Sequence, residues 1–130
     1  MFPPPRPWTP VSAVDPEREY VAFTSRFFLR SPVRAAAFMR HSRRIMKEID
    51  SAPGAVGWAI ATNLPRLEFF TVSAWESAED LRRFLKAGAH GESAAKFASD
   101  MRRKSVFVQF KVRGRDLPLQ WDEARARQVA

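Results

Sequence analysis

Cysteine is absent from the 130 residues. Disulfides, thiolate metal sites and cysteine nucleophiles are thereby excluded, and with nothing pointing to an oxidising compartment the expected location is cytoplasmic. Histidine is nearly absent, occurring only as His41 and His90, so no histidine pair stands at metal-ligating spacing. The five glycines form no phosphate-cradling loop, and there is no nucleophile elbow. No apolar run approaches the roughly 20 residues that a membrane span needs, so no membrane partner is expected. The opening MFPPPRPW lacks the apolar core of a signal peptide.

Acidic charge is also scarce. Fourteen Asp and Glu stand against 22 Lys and Arg, a formal net charge of +8. Such an excess would suit nucleic acid or an acidic lipid surface, but the charges are scattered rather than gathered in a tail, and a basic solvated surface is the simpler reading. A nucleic-acid partner is disfavoured for a second reason. RNA-binding sheets of βαββαβ order need a glycine-containing aromatic octamer in their third strand, and PRLEFFTV has no glycine.

What is present is the material of one folded domain, with 45% hydrophobic and 28% charged residues. Residues 1–19 carry six of the ten prolines and read as an extended arm that drapes on the body through Trp8. Residues 20–113 form the domain, and 114–130 a tail with a proline turn. Tyr20 to Leu29 is aromatic and β-branched, of strand length. Ser31-Pro32 then supplies an N-cap and a first-turn proline, opening a helix to about Ser51. On it Ala35, Phe38, Met39, Ser42, Ile45, Met46 and Ile49 recur at helical spacing.

Pro53-Gly54 stops that helix, and Ala55 to Asn63 follows as a second strand. Leu64-Pro65-Arg66 turns the chain into a third, RLEFFTVSAW, so these two form an antiparallel hairpin. Ser77 caps a second helix carrying Leu81, Phe84 and Leu85, Gly88 breaks it, and a further helical piece spans about Glu92 to Arg103. Ser105 to Arg113 completes the order as a fourth strand. The pattern predicts an α+β fold of ferredoxin-like βαββαβ order with an antiparallel sheet.

Right-handed connections place both helices on one side of such a sheet. Each strand has two rows of side chains. The uniformly apolar rows are expected to face the helices: Val21, Phe23, Phe27 and Leu29; Phe70, Val72 and Ala74; Val106, Val108, Phe110 and Val112. The mixed rows, with Tyr20, Phe28, Phe69, Trp75 and Phe107, would then lie uncovered and exceed the apolar patch usual on a monomer. A homodimer closing sheet on sheet is the expected cover. It would enclose an apolar cavity carrying Thr24, Arg26, Thr71, Ser73 and Gln109, fit for a hydrophobic small molecule.

The stretch FFTVSAWESAEDLRRFLKAGAH, the strand KSVFVQFKV and the tail DLPLQW resemble actinobacterial proteins of unknown function related to antibiotic biosynthesis monooxygenases. They are also similar to a shortened spheroidene monooxygenase, a haem-associated relative. The resemblance spans about residues 20–122 and rests on Thr71, Ser73, Trp75, Phe84 and His90. It implies a dimeric α/β barrel with a pocket between helices and sheet, acting on or binding an aromatic or polyketide-like molecule with either no cofactor or haem. The antibiotic monooxygenases work without cofactor on polyphenolic substrates that supply their own reducing power.

The candidate catalytic residues are His90 and Arg26. His90, in a helical break beside glycines, would act as general base or axial haem ligand, or simply satisfy a helix-end carbonyl. Arg26, a charge on a row expected to be buried, would hold an anionic group of substrate or haem, or form a structural pair with Glu68. Candidate substrate-binding residues are Trp58, Phe69, Thr71, Ser73, Trp75 and Gln109. The tryptophans would stack on an aromatic ring or pack the core, and the hydroxyls would orient a ligand or satisfy backbone. His41, among arginines, reads as a surface residue. A non-catalytic dimeric module of a biosynthetic complex is the reading that involves no chemistry.

Overall fold

Both described α-helices begin where a serine takes over backbone donors. Ser31 is extended (φ −153°, ψ 160°) and accepts from the Arg34 N–H, with Pro32 in the first turn, opening α1 (Pro32–Glu48). Ser77 opens α2 (Ala78–Lys86). Its Oγ accepts from the Asp80 N–H at 3.1 Å and donates to Asp80 Oδ2 at 2.8 Å. A 3-10 turn at Ile49–Ser51 finishes α1, and Gly54 reverses the chain at φ +80°. Glycine is required there twice over. The positive φ disfavours other residues, and a Cβ would fall 2.2 Å from Asp80 Oδ2.

The computed structural model describes residues 8–86 and 100–118. Its five strands are β1 (Thr9–Pro10), β2 (Glu19–Phe28), β3 (Ala55–Asn63), β4 (Glu68–Trp75) and β5 (Val106–Arg113). They form one antiparallel sheet in the order β1-β3-β4-β2-β5. The four long strands and two helices make the α+β ferredoxin-like fold that the sequence pattern predicts. The helical piece expected over Glu92 to Arg103 falls largely outside the described residues. At its end Met101 forms an isolated bridge with Leu29 instead. No described helix is long and apolar enough to cross a membrane.

The register corrects the expected facing of two strands. Residues directly opposite in antiparallel strands share a face. Phe23, Ser25 and Phe27 of β2 stand opposite Ser73, Thr71 and Phe69 of β4, and Phe23 and Ser25 also opposite Gln109 and Phe107 of β5. The mixed rows of β4 and β5 therefore share the helix side with the apolar row of β2. There Phe69 and Trp75 join Phe38, Met46 and Ile49 of the helical segment and Leu81 of α2 in one core. The uniformly apolar rows of β4 and β5 lie on the opposite face with Tyr20, Ala22 and Thr24.

That opposite face is not left open at its Tyr20 end. A second core of Tyr20, Ala22, Val56, Ala59, Val72, Ala74 and Val112 is buried there, packed by Trp8, Val14, Phe110 and Leu117. The cover is the proline-rich arm together with the segment after β5. Thr9 and Pro10 pair with Trp58 and Gly57 at the sheet edge, where a proline's missing donor is harmless. Val11 N–H donates to Val56 O at 2.9 Å, Asp15 N–H to Tyr20 Oη at 2.9 Å, and Gly114 N–H to Arg18 O at 2.8 Å. Trp8 lies flat against Gly57, where a Cβ would come within 2.4 Å of its ring. At this end the sheet face away from the helices is covered by the chain's own residues 8–18 and 114–117 rather than left open.

Candidate functional site

On the helix side, the sheet and the two helices do not close completely. They leave a cavity of about 440 Å³, within the range of small-molecule sites. Its walls are apolar: Phe23 and Phe27 from β2, Phe38, Ile45 and Met46 from α1, and Leu81 and Phe84 from α2. Phe27 packs on Phe38 at 4.9 Å between ring centroids, and Phe107 stacks on Phe23 at 6.1 Å. The aromatic part of the wall is thus braced ring against ring.

The floor is polar, and it arises from breaks in apolar rows. Ser25 interrupts the Val21, Phe23, Phe27 row of β2, and the register sets it beside Thr71. Their hydroxyls hydrogen-bond each other. One strand position along, Ser73 Oγ accepts from Trp75 Nε1 at 2.9 Å, and Trp75 is itself held against Phe84 at 5.1 Å between ring centroids. Ser25 and Ser73 are buried, so leaving them without partners would be costly.

Proton counting shows what this floor offers. Two hydroxyls that bond each other use one hydrogen and retain one. Ser73 accepts from the indole and keeps its own hydrogen to give. The floor can therefore donate to whatever enters, through hydroxyls that also keep lone pairs to accept. His41 and Ser42 of α1 look down on it, and Arg103, Lys104 and Ser105 stand at the rim before β5.

Of the residues singled out from sequence, Thr71 and Ser73 line this cavity. Trp75 positions Ser73 from beside it. Phe69 lies in the core against Phe27 and Phe38. Trp58 sits on the helix-side face, its Nε1 donating to Asp50 Oδ1 at 2.9 Å. Gln109 is exposed on the same side of β5 as Phe107. Arg26 is brought elsewhere. It lies on the opposite face with Thr24, and its Nη2 and Nε donate to the buried Glu68 Oε1 at 2.5 and 3.1 Å, which is the structural pairing weighed beside its catalytic role. His90 lies outside the described residues. Among the described residues no group of His, Asp and Glu could hold a metal ion.

Three lining groups were not read from the sequence. His41 was placed on the surface, yet it is three residues after Phe38 and four before Ile45, the spacing of the buried stripe. Ser25 is one polar residue within the apolar row of Val21, Phe23, Phe27 and Leu29. Arg103, the expected end of the further helical piece, and Lys104 after it lead into β5 instead.

No family model matches the chain, and no curated protein matches it. Solved structures do. SnoaB, a cofactor-independent oxygenase from Streptomyces nogalater, superposes with a TM-score of 0.61 at 21% identity, over 76% of this chain and 97% of that one. An antibiotic biosynthesis monooxygenase matches at 0.63 and 10% identity, over 69% and 95%. Rv0793 from Mycobacterium tuberculosis matches at 0.64 and 14% identity, over 70% and 92%. The chain shares its fold with antibiotic biosynthesis monooxygenase-like proteins.

Proposed function

We propose that this protein takes a hydrophobic aromatic or polyketide-like small molecule into the cavity between sheet and helices and acts on it in the manner of the antibiotic biosynthesis monooxygenase-like group. The observation that carries the reading is the cavity itself: about 440 Å³, walled by braced aromatic rings and floored by hydroxyl donors. A planar ring system would lie against the rings of Phe23, Phe27 and Phe38, while a carbonyl or phenolic oxygen would accept from Ser73 or from the Ser25–Thr71 pair. Such a donor floor favours the form of the ligand in which charge has moved onto oxygen. His41 is the imidazole among the described lining residues, of the side-chain type most used for proton transfer. The shared fold with a cofactor-independent oxygenase supports oxygenation without a bound cofactor.

The test is a titration with dihydroxyanthrone, following tryptophan quenching, with dissolved oxygen recorded in parallel. Saturable binding is expected, together with oxygen uptake above the protein-free rate. Ser42→Trp, which pushes an indole into the cavity from α1, should abolish binding while the circular dichroism spectrum is retained. Unchanged binding in that variant would remove the cavity from the reading.

A further inference from the structure

Charges that are scattered along the sequence are sorted in space. At one end of the sheet β2 and β3 finish and β4 and β5 begin, the register setting Glu68 opposite both Phe28 and Asn63, and Arg26 opposite Val106. The segments gathered there, residues 29–34, 64–68 and 100–104, carry Arg30, Arg34, Arg66, Arg102, Arg103 and Lys104, all exposed, against two acids. Both acids are already engaged, Glu68 by Arg26 and Asp100 by Arg34. At the other end, residues 15–19, 46–54, 76–80 and 113–116 hold nine of the eleven described acidic residues and four basic ones. We infer that the basic end docks on an anionic lipid surface, its cations against the headgroups and Leu64 and Val33 among the first acyl carbons.

The feature that points to lipid is apolar. Among the described residues three large apolar side chains are exposed: Val33 at 80%, Leu64 at 57% and Phe107 at 55%. One such residue alone is ordinary. All three, however, belong to the basic end, Val33 in the first turn of α1, Leu64 in the turn between β3 and β4, and Phe107 at the second position of β5. Apolar tips among cations suit a surface-bound protein, where buried apolar area and attraction to acidic headgroups add. A nucleic acid would use the cations but gain little from aliphatic tips. The tips are also held in place. Leu67, at φ +56°, donates its N–H to Leu64 O at 3.1 Å, and Leu29 N–H donates to Leu67 O at 2.8 Å. Arg102 Nη1 donates to Leu29 O at 3.0 Å and to Arg66 O at 2.8 Å, and Arg30 Nη2 to Met101 O at 3.2 Å. The three segments thus make one braced platform, and docking orders little that is not ordered already. Met101 and Lys104 of this end also line the cavity, so docking sets the proposed pocket beside the phase in which a hydrophobic ligand concentrates. That consequence rests on the proposed function, whereas the docking does not.

The experiment is co-sedimentation of the full chain, without ligand, with vesicles of phosphatidylcholine alone or containing about a third phosphatidylglycerol. Binding to the mixed vesicles and not to phosphatidylcholine is expected at low ionic strength, weakening as added salt shortens the Debye length. Arg66→Gln combined with Lys104→Gln should weaken partitioning about 25-fold, at about fivefold per cation. Lys47→Gln combined with Lys111→Gln removes the same charge at and near the acidic end and should change it by less than about twofold. Val33→Ser combined with Leu64→Ser should weaken it about tenfold, with the circular dichroism spectrum retained in every variant. Absence of sedimentation with the mixed vesicles, or equal losses in the two charge variants, would overturn the docking. Tighter binding to single-stranded RNA than to vesicles, with no effect of the serine changes, would overturn it in favour of a nucleic-acid surface. None of these results bears on the titration that tests the cavity.

Discussion

The docking of the arm can be tested through a single contact. Trp8 is half-buried, so its packing removes about half of a tryptophan's ~200 Å² from water, worth about 2.5 kcal/mol at about 25 cal/mol per Å². Trp8→Ala should cost that much. Gly57→Ala should cost about 2 kcal/mol by a different route. Its Cβ would come within 2.4 to 2.5 Å of three atoms of the indole, forcing the ring off the sheet, while alanine regains about 0.5 kcal/mol over glycine within a strand. In the double variant there is no ring to displace, and the cost should be about 2 kcal/mol rather than the sum of about 4.5. The assay is urea denaturation followed by far-ultraviolet circular dichroism, where Trp8→Ala should lower the midpoint by about 1 to 2 M. Additivity of the two changes within about 0.5 kcal/mol would refute the contact, and with it the arm as cover of the sheet.

Other outcomes follow from groups on the same face. Arg26→Ala strands the buried carboxylate of Glu68 and should cost about 3 kcal/mol, with much of the loss restored by adding Glu68→Gln; chemical denaturation of the three variants reads both effects. Thr24 is fully buried and its Oγ1 has no hydrogen-bond partner among the described residues, so Thr24→Val should stabilise the protein by about 1 kcal/mol, seen as a rise in Tm, without altering ligand titrations. Since Trp8 and Val14 pack on the Tyr20 end of the sheet face away from the helices, Trp8→Ala should strengthen self-association through that face, read by sedimentation of both proteins at micromolar concentration. A dimer of equal strength in both proteins would contradict the arm's role as cover.

The parts legible in the sequence were those set by local chemistry. Ser31-Pro32 and Ser77 declared the helix starts because a cap needs only the three or four residues that follow it. β3 could be bounded at Ala55 and Asn63 because proline, glycine and the Leu64-Pro65 turn flank it. The facing of β4 and β5 was hidden for a different reason. A uniformly apolar row reports that something covers it, not which layer does. Val72 and Ala74 are covered on the side away from the helices, where the arm and the segment after β5 supply a second roof, and Phe70 in the same row lies under Arg26. Prolines carry no periodic signal, so residues 1–19 announced an arm draped through Trp8 but not the face that it covers. The same register put Thr71 and Ser73 on the cavity floor while sending Arg26 to the far side, a split decided by which residue of β2 meets which of β4. His41 was obscured by Arg40, Arg43 and Arg44 around it, although its spacing from Phe38 and Ile45 was there to be read.

The clasp between the two ends of the described chain also sets an order of events. Arg113 Nη1 donates to Glu17 O across 96 residues, and Gly114 and Arg115 hold Arg18 and Pro16 by backbone bonds. Closing so long a span carries an entropic cost that is recovered only when the last strand is already seated. The arm should therefore settle late, after the rate-limiting barrier. Loosening the clasp should hasten opening in a stopped-flow experiment and leave the speed of refolding where it was.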